Sequence, residues 1–240
     1  MEIYTELIDR LERARARDRE ALLVFDLDGT IYNNELRTLR ILLEFAHLHA
    51  KRFPDLQRQI DKLPCAVLQY KIADTLRGLG LADAEMIDEV EQFWFDRFFT
   101  SEYEIHDLPT PGAVDLVNAL YQRGAVPVYL TGRDAPNMLL GTVQTLLRDG
   151  FPVGTVDTRL ILKDRFERDD TEFKRSVFEH LERCGDVIAA FDNEPGLANL
   201  FRERFPEALV FWLDTHHAPD AEPLRPDVLR IENFLALSPP

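Results

Sequence analysis

The chain predicts an α/β fold in which a parallel, Rossmann-like sheet carries helices on both faces, and two observations predict it. Five short apolar runs, Leu22 to Asp26, Val126 to Leu130, Arg159 to Leu162, Val187 to Phe191 and Ala208 to Leu213, are separated by stretches with helical spacing. Within the runs hydrophobicity is continuous rather than alternating, the pattern of strands covered on both sides. In such sheets a ligand sits beyond the carboxyl ends of the strands, at the switch point in strand order.

Met1 to Glu20 is a charged amphipathic stretch with Ile3, Leu7, Ile8 and Leu11 at helical spacing, and it lacks the apolar centre of a signal peptide. The first strand then runs straight into Asp26-Leu27-Asp28-Gly29-Thr30. About 100 residues separate Asp28 from the end of the second strand, where a crossover needs only about a dozen. An additional domain, residues 33–107, is therefore expected, between core segments 1–32 and 108–240. Within it Glu35 to Phe53, Ala66 to Leu79 and Asp83 to Phe99 show helical spacing, with breaks at Pro54, Pro64 and Gly78/Gly80; Pro109, Pro111 and Gly112 mark the return. The aromatic cluster Phe93, Trp94, Phe95, Phe98, Phe99 and Tyr103 exceeds what one helix face needs. Two readings stay open: the domain's own core and seam, or rings lining a pocket for an organic group. Pro219 to Pro226 and Ser238 to Pro240 read as surface loop and tail.

Composition narrows the function. With 240 residues, 45% of them hydrophobic, the chain can bury one sizeable core and a smaller second lobe. Its longest apolar runs, such as Ala21 to Phe25, fall far short of the roughly 20 residues of a spanning helix, so no membrane partner and a cytoplasmic location are expected. Cys65 and Cys184 lie far apart without a ligand pattern and are expected to be ordinary buried thiols; the six histidines form no ligand spacing either. A net charge of −15 and the lack of a dense basic tract argue against nucleic acid. The oligomeric state stays open.

The chemistry starts at Asp26 and Asp28. Residues two apart in an extended strand point to the same side, so both carboxylates are expected to aim at one point beyond the strand, with Gly29 turning the chain. With no basic residue close in sequence to neutralise them, they ask for a divalent cation, and oxygen ligands favour Mg²⁺. A simple capping role would use one aspartate and leave the other unexplained.

This stretch, Leu22 to Thr30, resembles the first motif of the haloacid dehalogenase superfamily of phosphohydrolases. The resemblance implies a strand order of 5-4-1-2-3 and makes the inserted helices similar to the α-helical cap of many members. Thr131-Gly132, ending the second strand, matches the second motif, whose hydroxyl and N–H hold phosphate oxygens; a helix N-cap is the plainer reading. The family's lysine has two candidates, Lys163 ending the third strand and Lys174 in the first turn of a helix beginning near Asp170 or Thr171. Lys174 is preferred, because the third strand lies two strands, roughly 10 Å, from Asp26. Lys163 would reach the far side of the substrate or be solvated. Arg133 would either fork onto the phosphate or pair with a carboxylate such as Asp134 or Glu194.

Asp192, ending the fourth strand, matches the family's metal ligand, whereas Asn193 and Glu194 stand where the commoner patterns have a second aspartate. Glu194 would bind a metal-ligated water, orient Lys174 or Arg133, or, with Asn193, cap the helix that Pro195 opens. The resemblance thus implies a Mg²⁺-dependent hydrolase of small phosphorylated metabolites. Asp26 would be the nucleophile that forms an aspartyl phosphate, and Asp28 the general acid and then base. Mg²⁺ would sit on Asp26, Asp192 and the carbonyl of Asp28, and Thr131, Gly132, Lys174 and Arg133 would contact the phosphoryl group. A phosphotransferase or mutase of the same superfamily, or a catalytically silent binding protein on this fold, is the alternative.

Overall fold

A computed structural model describes residues 2–237; the Ser238 to Pro240 tail lies outside them. Helix α1 (Glu2–Ala16) precedes β1 (Glu20–Phe25), and β2 (Tyr32–Asn33) leads into α2 (Glu35–Leu48), α3 (Pro54–Ile60), α4 (Ile72–Gly78) and α5 (Ala84–Phe98). The chain returns through β3 (Leu108–Pro109) and continues as α6 (Ala113–Tyr121), β4 (Ala125–Asp134), α7 (Ala135–Arg148), β5 (Arg159–Lys163) and α8 (Asp170–Cys184). It finishes with β6 (Gly185–Asp192), α9 (Pro195–Arg204), β7 (Leu209–Leu213) and β8 (Leu229–Ile231).

The main sheet has six strands in the order β5-β4-β1-β6-β7-β8, all paired in parallel. The five strands expected from the sequence stand in the expected relative order; β8 extends the sheet at one edge. Its three residues, two of them exposed, carry too little apolar signal to have been seen. The continuous hydrophobicity of β1 is explained directly: Leu23 and Phe25 enter the core beneath α1 and α6, while Leu22 and Val24 enter the one beneath α8 and α9. Phe25, Phe191 and Phe211 stack across three adjacent strands, with centroids 4.8 and 4.6 Å apart, just below the strand ends that carry the site.

The four inserted helices bury an apolar cluster of their own, including Leu42, Phe45, Leu56, Leu76, Met86 and Val90. Two expected boundaries are corrected. The helix from Glu35 stops at Leu48, and Pro54 starts a separate helix rather than ending one, since proline suits a first helical position. Only Ile72–Gly78 of the expected 66–79 helix is α-helical; Thr75 Oγ1 accepts the Gln69 N–H at 2.9 Å, a local bond that competes with the helical one. At the crossing points β2 and β3 pair antiparallel, and Thr110 Oγ1 donates to the Thr30 carbonyl at 2.7 Å. Both cysteines are half-buried rather than buried, and neither is in a disulfide. No helix among the described residues is long and apolar enough to cross a membrane.

Candidate active site

β1 ends at Phe25, so Asp26 and Asp28 lie in the turn beyond it rather than within extended strand. Gly29 holds that turn at φ +73°, and its N–H donates to the Tyr32 carbonyl at 2.8 Å. A Cβ on Gly29 would sit 2.4 Å from Asn193 Nδ2. Gly29→Ala is accordingly expected to lower stability by about 2–3 kcal/mol through backbone strain and displacement of Asn193, read by thermal unfolding. Because the chain turns, the two carboxylates do not share one point, and that expectation is corrected: they go to different partners.

Asp26 meets Lys174. The N-cap Asp169 starts α8 by accepting the Glu172 N–H, which fixes the register that turns Lys174 inward. Lys174 Nζ donates to Asp26 Oδ1 and to Asp192 Oδ2, both at 2.7 Å, with all three residues buried. Burial pushes the Asp26 carboxyl up to about 7; Lys174 offsets part of this, and the Asp192 charge adds to it. Burial alone would lower the Lys174 ammonium, but Asp192 and Asp26 outweigh it and hold it above its ordinary value. One lysine thus faces two buried carboxylates and leaves a net demand for positive charge. Carboxylate donors in that condition, Asp26 and Asp192, suit a hard divalent cation. No group of three or more His, Cys, Asp or Glu side chains with metal-holding geometry occurs among the described residues.

The Asp28 side chain has a different environment. Arg133 donates to both of its oxygens, Nε to Oδ2 at 2.8 Å and Nη2 to Oδ1 at 2.7 Å. Arg37 Nη2 and Asn34 Nδ2 add donors to Oδ1 at 3.0 and 2.8 Å. Basic partners absent from the neighbouring sequence thus reach both aspartates through the fold, Lys174 for Asp26 and Arg133 with Arg37 for Asp28. Burial would raise its carboxyl, but the two guanidiniums prevail and hold it well below the carboxylate range.

The network reaches further. Arg133 also donates to Glu104, to Asp107 at 2.9 Å and to Thr142 at 3.1 Å. Arg37, fully buried, binds Asp107 through Nε at 2.7 Å and stacks 4.4 Å over Phe98. Asp134 and Glu194, the partners considered from sequence for Arg133, are engaged elsewhere: Asp134 caps α7 by accepting the Asn137 N–H, and Glu194 accepts the Ala218 N–H. Of the two roles considered for Arg133, its donors are thus committed to pairing with carboxylates, those of Asp28, Glu104 and Asp107.

Thr131 is buried beside the site, its Oγ1 accepting the Arg133 N–H at 3.2 Å. Gly132 is where a Cβ would meet the Asp170 carboxylate at 2.3 Å. That carboxylate pairs with Lys163 at 2.8 Å. Lys163 is buried, and Nζ also donates to the carbonyls of Phe166 and Arg168, each at 2.9 Å. It is not solvated: it braces the β5–α8 loop and lines the same cavity as Asp26. Glu194 is the N-cap of α9 without a capping side-chain bond, Pro195 follows as expected, and Asn193 instead ties Thr30 to the His216 carbonyl.

Arg37, Asp107 and Glu104 were not anticipated. A signal existed for Arg37, which continues the buried Ile41 and Phe45 stripe of α2 one turn earlier, where a charge is out of place unless partnered. Above Asp26 and Asp28 opens a cavity of about 830 Å³ between the strand ends and the inserted helices. Thr131, Gly132, Lys174 and Asp192 line its floor; Trp94, Phe95, Phe98 and Phe99 line its upper wall.

Residues 21–158 match the model of the family described as haloacid dehalogenase-like hydrolase. No curated protein matches the chain. Among solved structures it is similar to protein tyrosine kinase A of Mycobacterium tuberculosis, at 14% identity and a TM-score of 0.55 over 92% of this chain and 99% of that one. A Bacteroides fragilis protein assigned as a haloacid dehalogenase-like hydrolase gives 12% identity and a TM-score of 0.53 over 91% and 100%. A subfamily IA, variant 1 hydrolase from Geobacter sulfurreducens gives 12% identity and 0.52 over 89% and 92%. At these identities the likeness is one of fold.

Proposed function

Because the chain belongs to the haloacid dehalogenase-like hydrolases, we propose that it is a Mg²⁺-dependent phosphomonoesterase acting on a small phosphorylated metabolite. The observation that carries this reading is Lys174 bridging Asp26 and Asp192 at 2.7 Å on the floor of the cavity. A buried carboxylate beside a fixed ammonium is a nucleophile with charge compensation for an incoming dianion. Asp26 attacks phosphorus in line, the bond to the leaving oxygen breaks, and water then hydrolyses the aspartyl phosphate. Lys174, the Thr131 hydroxyl and the Gly132 N–H hold phosphoryl oxygens. Asp26, Asp192 and the Asp28 carbonyl are the residues that would hold Mg²⁺, which when bound supplies further positive charge to those oxygens. The inserted helices act as a cap that selects the leaving group.

Asp28 takes the proton work, against its environment. Held ionised by Arg133 and Arg37, it is deprotonated for the water step, but the same low proton affinity makes it a weak base for water as well as a poor acid for the leaving oxygen. Asp28→Asn is expected to phosphorylate itself with p-nitrophenyl phosphate, whose phenolate needs little protonation, and then stall. The readout is a burst of about one nitrophenolate per site and a covalent phosphate by intact mass. Wild-type turnover in that variant would remove Asp28 from proton transfer.

The proposed activity is tested by phosphate release from a panel of phosphomonoesters with Mg²⁺ and with excess chelator. Release is expected only with the metal; undiminished turnover in chelator, or an isomerised product without phosphate, overturns the reading. Lys174→Met should lose about a hundredfold in kcat, the worth of one charge-assisted contact of about 3 kcal/mol. Lys163→Met should lose stability rather than rate. The reverse ranking would move the role to Lys163.

A further inference from the structure

We propose that the preferred substrates are phosphate esters of alcohols bearing an aromatic ring, without a carboxylate, and that the rings of α5 together with Phe166 form the leaving-group subsite. This rests on the phosphomonoesterase reading and deepens it.

Helix α5 changes character halfway. Met86, Ile87 and Val90 are buried in the insert's own core, whereas Trp94, Phe95, Phe98 and Phe99 all remain at least partly exposed, Phe95 at 45%. Trp94 with Phe98, and Phe95 with the C-cap residue Phe99, stand four residues apart, so the four make a single stripe. That stripe faces the cavity holding Asp26 and Lys174. Phe93 and Tyr103, by contrast, turn to the insert itself, where Phe93 packs edge-on to Phe45 and Tyr103 donates to Glu44.

From the core side Phe166 meets the stripe edge-to-face, 5.5 Å from Phe95 and 5.1 Å from Phe99. The Lys163 bond to the Phe166 carbonyl holds this ring's loop in place. A partly open aromatic wall joined to a phosphate position is an apolar patch with an assigned neighbour, not scattered surface hydrophobicity. The cavity, about 830 Å³, is also of the size that holds a drug-sized ligand, far beyond a three-carbon phosphate.

Charge selects further. Glu35, Glu91 and Glu232 also line this cavity, with Lys71 as a further basic side chain of the lining. A leaving group carrying its own carboxylate would meet mostly like charge there.

The test separates ring recognition from chemistry by using alcohols of similar acidity. For 3-phenylpropyl phosphate against n-propyl phosphate, kcat/KM is expected to be at least about tenfold higher, the size of one well-placed ring contact plus its buried area. 3-Phosphoglycerate should fall below both. In parallel, calorimetry with Mg²⁺ compares phenylpropylphosphonate with propylphosphonate, and the same preference should appear in Kd. Phe95→Ala, a change at a half-exposed position that does not empty a core, should reduce the Kd ratio at least about threefold, with Phe95→Tyr retaining it. Equal Kd values for the two phosphonates, or equal kcat/KM for the two esters, overturn the inference. Preferential phosphonate binding without any phosphate release would instead overturn the phosphomonoesterase reading and keep the ring subsite.

Discussion

Asp26→Asn is expected to fold and to lose phosphate release by at least about 10⁴-fold, because an amide cannot attack phosphorus and no other carboxylate shares its position. The stability of this variant sharpens the test. The folded-state carboxyl of Asp26 is raised to about 7, so its protonated form is favoured in the native protein. Its contribution is fully present below the unfolded-state value and is lost as pH rises through about 7. Asn resembles the protonated form and does not titrate. Without added metal, Asp26→Asn should therefore match the wild type near pH 4 and melt several degrees higher at pH 8. Mg²⁺ should raise the wild-type Tm at pH 8, more than at pH 5, and have little effect on the variant. A variant that keeps its turnover ends the aspartyl-phosphate mechanism; one that melts lower at pH 8 ends the account of Asp26 as a charge in need of a cation.

Arg133→Met should be the most destabilising change. Its guanidinium serves Asp28, Glu104 and Asp107, and the last two side chains are fully buried. Removing one partner of a buried charge cluster costs about 3–5 kcal/mol. At about 2–4 °C per kcal/mol for a chain of this size, Tm should fall by about 6–20 °C. Glu104 is already pushed up by burial, against the pull of Arg133. Losing Arg133 should raise it further, so the deficit should shrink at pH 5 as Glu104 takes a proton. Glu104→Gln added to Arg133→Met should recover part of the loss at pH 8, which a merely steric role for Arg133 would not allow. A drop of less than about 2 °C would show the network to be unimportant for stability.

Sequence alone determined the sheet, because strands buried on both faces must be continuously apolar, as Leu22 to Phe25 is. It also located Asp26, Thr131 and Asp192, because a strand ending in a polar side chain delivers that side chain to the carboxyl edge where ligands bind. Lys174 was preferred to Lys163 because, in the strand order the resemblance implies, the third strand lies two strands from Asp26. Apart from that strand order, each of these inferences is local: a period, a strand end.

What only the tertiary structure decided is who partners whom. Arg37 and Asp107 stand 70 residues apart, and Arg133 and Asp28 stand 105 apart. No local pattern connects such residues, yet burial makes their pairing obligatory, since each would otherwise be an uncompensated charge in a low-dielectric interior. The same holds for the aromatic residues of α5. Their sequence allowed either a core or a pocket, and the choice depended on where the insert returned over the sheet and left Phe95 and Phe99 facing Phe166 above Asp26.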